Sequence, residues 1–176
     1  AEAQEKFAKE YGAEMIDGLD DEILFQTIDW KFNANRSGKH LLLYATGKLG
    51  EGIEGRSKIN KNFGMTDAEM DKLFDENKEE IIKASKDPAF KEKMMNAKME
   101  LYLSPKQKEN YTKKELKEGL KNVWGKRIGY TPEQIDKWIK NNFDKIYNEE
   151  YPEGAGDLKW NTGGEEVIEE EVTVKE

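Results

Sequence analysis

Apolar positions recur at helical spacing through most of the chain. Ala3, Phe7, Tyr11 and Met15 come every four residues and predict a first amphipathic helix that Gly18 breaks. Asp20 or Asp21 can cap a second, with Leu24, Ile28 and Phe32 on one stripe and Ile23, Phe25 and Trp30 beside it. Residues 33–64 are less regular and hold six of the fifteen glycines. There, Leu41-Leu42-Leu43-Tyr44 predicts a short helix followed by a glycine-rich loop over 44–64.

Cleaner helices follow, with readable caps. Thr66 and Glu69 form a capping box ahead of Met70, Leu73, Phe74, Ile81 and Ile82. Asp87-Pro88 reads as an N-cap with proline at the first helical position, leading Phe90, Met94, Ala97 and Leu101. Ser104-Pro105 marks a further helix start or a turn. Thr112 with Glu115 leads Leu116, Leu120, Val123 and Trp124, up to Gly125. Thr131-Pro132 with Gln134 leads Ile135, Ile139, Phe143 and Ile146. The last two segments match at a constant offset of 19 residues, from Tyr111-Thr112 against Tyr130-Thr131 to Lys126 against Lys145. Two like helices joined by a short glycine turn make a helical hairpin.

Valine supports the helical reading. Of four valines, Val167, Val172 and Val174 lie in the tail, whereas a sheet core uses β-branched residues throughout. The expected fold is mainly α: a multi-helix bundle of about six or seven short helices over residues 1–147. A C-terminal acidic, partly extended arm over 148–176 would follow it. In the arm, Glu165 to Glu176 alternates acids with Val172 and Val174, like a half-buried strand. Such a segment cannot by itself bury enough apolar surface to offset its ordering entropy, about 1–2 kcal/mol per residue. It is expected to lie on a partner subunit, or on residues 31–62 of its own or a neighbouring chain.

Composition narrows the chemistry. At 176 residues and 20.4 kDa, with Leu, Ile, Val and Phe numbering 12, 12, 4 and 7, the core is expected to be thin. With no cysteine and one histidine, thiolate and multi-histidine metal sites, a Cys-His dyad and most triads are excluded within one chain. His40, between Lys39 and Leu41, reads as a helix-start or core-edge residue. No apolar run is long enough to span a membrane and no secretory signal is visible, so a cytoplasmic or virion location is expected.

Charge is segregated. Residues 1–30 carry 9 acids and 2 bases, 31–62 carry 2 and 7, 63–147 carry 16 and 18, and 148–176 carry 10 and 2. An acidic chain repels nucleic acid overall, and the acidic ends are expected to fold over the basic 31–62 segment. Candidate partner-binding residues are therefore Lys39, Lys48, Arg56 and Lys58 on that segment, with Val167, Ile168, Val172 and Val174 on the arm.

Other motifs carry less. Gly50-Glu51-Gly52-Ile53-Glu54-Gly55 spells G-x-G-x-x-G, but no βαβ pattern surrounds it and its two glutamates repel phosphate. Adjacent acids such as Glu79-Glu80 read as solvated faces, and Met94, Met95 and Met99 as core filler. No catalytic, cofactor or metal site is expected.

The run Lys114-Glu115-Leu116-Lys117, Gly129, Thr131-Pro132-Glu133-Gln134-Ile135-Asp136-Lys137 and Phe143-Asp144 resembles the stretch joining two hands in calmodulin- or centrin-like EF-hand proteins. Asn33-Ala34-Asn35-Arg36-Ser37-Gly38 is similar to the first half of a calcium loop. The resemblance implies a calcium-insensitive, protein-binding relative. The loop from Asn33 ends at Tyr44, where an acid is needed, and the loop ending at Glu115 has Lys106 and Lys108 at ligand positions and Glu109 where glycine belongs. Asp75-Glu76-Asn77 also lacks the glycine.

Three functions fit. The first is a non-catalytic structural or adaptor subunit of a virion or other multi-protein assembly. The second is the EF-hand-like module. The third is a helix-turn-helix nucleic-acid binder that turns Lys137, Lys140, Asn141 and Lys145 outward.

Overall fold

The computed structural model describes residues 2–34, 38–59 and 65–152. The chain is mainly helical, with no strand among the described residues. It runs through α1 (Glu2–Tyr11), α2 (Ala13–Gly18), α3 (Asp21–Ala34), α4 (Gly38–Ala45), α5 (Ile53–Ile59), α6 (Asp67–Glu76), α7 (Lys78–Ser85), α8 (Phe90–Tyr102) and α9 (Pro105–Asn110). Two longer helices follow. In the first, α10 (Lys113–Gly119) passes through a π segment, Leu120–Trp124, into α11 (Gly125–Ile128). In the second, α12 (Pro132–Trp138) passes through Ile139–Phe143 into α13 (Asp144–Asn148). No described helix is long and apolar enough to cross a membrane.

Counting each of those two as continuous gives eleven helices among the described residues, more than the six or seven expected. The excess comes from local breaks inside continuous stripes. Gly12, at φ 102°, separates α1 from α2, a backbone that side chains rarely adopt, although the apolar stripe runs on from Tyr11 to Met15. Asn77 separates α6 from α7: its N–H bonds three residues back to Phe74, and its Nδ2 donates to the Leu73 carbonyl at 2.7 Å. A helix, α5, sits inside the segment expected to be loop. Ser104-Pro105 does start a helix, with the Ser104 hydroxyl accepting from the Gln107 N–H. Asp87-Pro88 forms a turn just ahead of α8 rather than its first turn: Asp87 accepts from the Ala89 N–H at 2.9 Å, and α8 begins at Phe90.

The three capping boxes form as spelled, at Thr66/Glu69, Thr112/Glu115 and Thr131/Gln134. Each hydroxyl accepts the N–H three residues on, and each Glu or Gln accepts the cap residue's own N–H, so two otherwise unpaired donors are satisfied at each start.

Helix α8 is the axis of the bundle. Phe90, Met94, Met95, Ala97, Met99, Leu101 and Tyr102 are all buried, so it is enclosed on nearly every side, by α3, α4, α7 and α11. Helix α4 packs beside it with Leu41, Leu42 and Leu43 at zero exposure, and His40 is buried in its first turn. The three methionines act as core filler, as their spacing suggested.

Candidate functional site

The four candidate cations of the 31–62 segment are engaged inside the chain. Lys39 donates to Asp71 at 3.2 Å and lies over the rings of Tyr11 and Phe74. Lys48 pairs with Glu80. Lys58 donates to the Leu49 carbonyl at 2.9 Å and stands 3.6 Å from Glu54. Arg56 is fully enclosed, at 1% exposure. Its Nη1 donates to Glu100 at 3.1 Å, Nη2 to Glu149 at 2.5 Å, and Nε to the Tyr151 hydroxyl at 3.2 Å.

The expectation that the acidic ends fold over this segment is met at one described residue of the C-terminal end, whereas Glu14 and Glu22 of the N-terminal end pair with Lys78 and Lys91 outside it. Glu149, at the start of the acidic C-terminal segment, does fold over the basic segment. Arg56 consequently lies inside the molecule and presents no charge to the surface. Val167, Ile168, Val172 and Val174 lie outside the described residues.

The Arg56 cluster extends to both sides. Tyr44 donates to the same Glu100 oxygen at 2.7 Å. Burial, reinforced by the Glu100 charge, pushes the Tyr44 hydroxyl above the ordinary phenol range. Burial alone would lower the pKa of Arg56, but Tyr151, Tyr44 and Glu149 outweigh it and hold the guanidinium above its ordinary value. Lys108 donates to the carbonyls of Tyr147 and Glu149 at 3.0 and 3.1 Å and lies over the rings of Tyr147 and Tyr151. Burial, with repulsion from Arg56, lowers the Lys108 pKa. Two cations thus clamp residues 147–151 where the chain leaves the last helix.

Above this cluster lies a cleft of about 600 Å³ between the α4–α5 connection and α8, with Tyr44, Phe90, Asn96 and Glu100 in its wall. Gly50, Glu51 and Gly52, the first half of the Gly50–Gly55 hexapeptide, form one lip. Gly50 and Gly52 have φ of 97° and 61°, so the glycines serve a tight turn between two helices. No strand precedes the turn, and Glu51 lines the cleft.

Lys113 pairs with Asp144 at 2.9 Å, and Lys121 with Asp136 at 3.6 Å. The residue numbers of both pairs sum to the same value, so the two long helices lie antiparallel and side by side, forming the hairpin expected from the 19-residue match. In a helix-turn-helix, by contrast, the two helices cross at roughly 90–120°. Lys137, Lys140, Asn141 and Lys145 are exposed, as that reading supposed.

The windows that resemble calcium loops are largely helical here: α4 occupies residues 38–44 of the first, and α9 crosses the middle of the second. Among the described residues, no three His, Cys, Asp or Glu side chains gather as a metal site.

Sequence reasoning missed a second buried cation. Lys98, at zero exposure on α8, donates to Gln26 Oε1 at 2.6 Å, while Gln26 donates to the Ile128 carbonyl at 3.3 Å. The signal was its place among Met94, Met95, Met99 and Leu101, which left no polar face for it. No protein-family model, no curated protein and no solved structure matches this chain.

Proposed function

We propose that the chain is a non-catalytic structural or adaptor subunit of a larger protein assembly, binding its partner through a helical surface and the C-terminal arm. The observation that carries this reading is the clamp at the exit of the last helix. Arg56 and Lys108 hold Glu149 and Tyr151 at a fixed point on the bundle, so the acidic arm departs from a rigid base. A tethered arm contributes to binding when its root is fixed, because the search volume is set by its length alone. The buried ionisable groups support the same reading. Arg56 is turned toward its own chain's acids and Lys98 toward an amide, which uses them as supports for the fold.

The test is isolation of the tagged full-length chain and of a 1–164 truncation from the cell or particle that makes it, with native mass measurement of each. A fixed-stoichiometry heteromeric complex that is lost on truncation, and loosened by salt, is the expected result. Recovery of a bare monomer in both cases overturns the proposal.

A further inference from the structure

With Lys39, Lys48, Arg56 and Lys58 engaged inside the chain, the hairpin is the larger basic surface among the described residues. Residues 112–148 carry 9 bases and 5 acids. Lys114, Lys126, Arg127, Lys137, Lys140 and Lys145 are exposed there, and none has a carboxylate within ion-pair distance among the described residues. The arm from 165 to 176 carries 6 acids and 1 base.

We propose that in the free chain the acidic segment 165–176 lies on the basic outer surface of its own hairpin, covering it until a partner displaces it. Three facts point to this occupant. The first is charge: the hairpin carries six exposed cations with no ion pair among the described residues, against three, Lys83, Lys86 and Lys93, in the stretch from α7 into α8. The second is origin. The second hairpin helix ends at Asn148, and the clamp fixes Glu149 and Tyr151 beside Tyr147, so the arm starts at the hairpin's open end. The third is reach. Lys113–Ile128 is about 24 Å long at helical rise. The twelve residues 153–164, four of them glycine, span about 20 Å even as a random coil and more when extended. A segment tethered at that distance has an effective concentration near the millimolar range, so it outcompetes the same segment of other copies at ordinary dilution. The contact is between exposed charges and is therefore screened by salt.

This inference rests on the adaptor reading only for the purpose of the covered surface. The docking itself is testable on the isolated chain, so either can fail without the other. Because the chain has no cysteine, Thr173→Cys accepts a single nitroxide label, and the broadening it causes is read on isotope-labelled backbone amides of the full-length protein. The expected result at about 50 mM salt is loss of intensity along residues 113–148, unchanged on dilution. That loss should vanish near 500 mM salt and in the Lys137→Glu, Lys140→Glu double variant, whose helical circular dichroism checks that it remains folded. Broadening centred on residues 38–59, or no broadening at all, overturns the proposal. So does broadening that persists when the nitroxide and the isotope label are on different copies, since the arm would then be docking between chains.

Discussion

The Lys98 ammonium donates to Gln26 Oε1 at 2.6 Å, while the Asp29 carboxylate stands 3.8 Å away. A fully buried cation is thus held chiefly by a neutral amide. Burial lowers its pKa to about 8, against the partial opposition of Asp29. The folded state therefore releases this proton more readily than the unfolded chain, whose lysine titrates near about 10.4. Below about pH 8 both states carry the charge and the folded state bears the whole cost of burying it. Between about 8 and 10.4 the unfolded state binds more protons, so this group's contribution to stability rises with pH. Lys98→Met removes the effect. The stability of the variant relative to the native chain should fall by about 2 kcal/mol between pH 7 and pH 9.5 in urea titrations. A difference independent of pH would sink this account.

The tyrosines act in the opposite sense at higher pH. Burial raises the hydroxyl pKa of Tyr44, Tyr102 and Tyr130 above the ordinary phenol range. The unfolded chain then ionises first, near about pH 10, and stability is lost as pH rises beyond that. Phenolate absorbance should show these tyrosines titrating only together with loss of helical circular dichroism. Smooth ionisation of all tyrosines near pH 10, with helix intact, would contradict it.

Removal of Arg56 should be costly in a specific place. Arg56→Met removes the guanidinium from Glu149, leaves Glu100 with the Tyr44 hydroxyl and takes one hydrogen bond from Tyr151; because both carboxylates are partly exposed, the cost should be about 2–3 kcal/mol. Arg56→Lys is not a conservative repair, because one ammonium cannot replace three nitrogens aimed at separate partners. Both variants should also expose residues 149–152 to proteases before the rest of the bundle. Equal protection of that segment in native and variant protein would show that the clamp does not fix the exit.

The caps allow a cleaner test of what the sequence spelled out. Thr112→Ala and Thr131→Ala each remove an exposed hydroxyl whose visible role is to accept one backbone N–H. Each should cost about 1 kcal/mol, and the double variant about the sum. Strong non-additivity would mean that the two helix starts are coupled.

These caps were legible because a capping box is local: four residues contain the whole interaction. The α8 stripe and the antiparallel hairpin were legible for the related reason that periodicity survives folding. The Arg56 cluster was not, because its partners lie 44, 93 and 95 residues away and each is an ordinary Glu or Tyr in sequence. The break at Gly12 was hidden because the apolar spacing runs straight across it. Lys98 was passed over because lysine is almost never fully buried, and its partners Gln26 and Asp29 lie about seventy residues away in sequence.

The two π segments show the limit of spacing as a guide, and also its use. They occupy 120–124 and 139–143, the same offset of 19 residues that relates the flanking caps. The likeness of the two helices therefore extends to an uncommon backbone feature. The cause is in the stripe. Leu116, Leu120, Trp124 and Ile128 are all buried and recur strictly every four residues. An α-helix of 3.6 residues per turn would rotate such a stripe by about 40° at each step, and by about 120° over its length. An i→i+5 segment winds more slowly and brings the stripe back toward one face. Deleting Asn122, an exposed residue within the first π segment, changes the spacing to four, three and four, which a regular α-helix keeps on one face. The deletion should therefore convert the segment to α-helix and leave the thermal midpoint within a few degrees, a change of about 1 kcal/mol. Deleting the equally exposed Lys93 from α8 should instead rotate the helix ahead of it or behind it out of register and destabilise the fold by more than about 3 kcal/mol. If the two deletions are equally damaging, the π segment has another cause than the four-residue stripe.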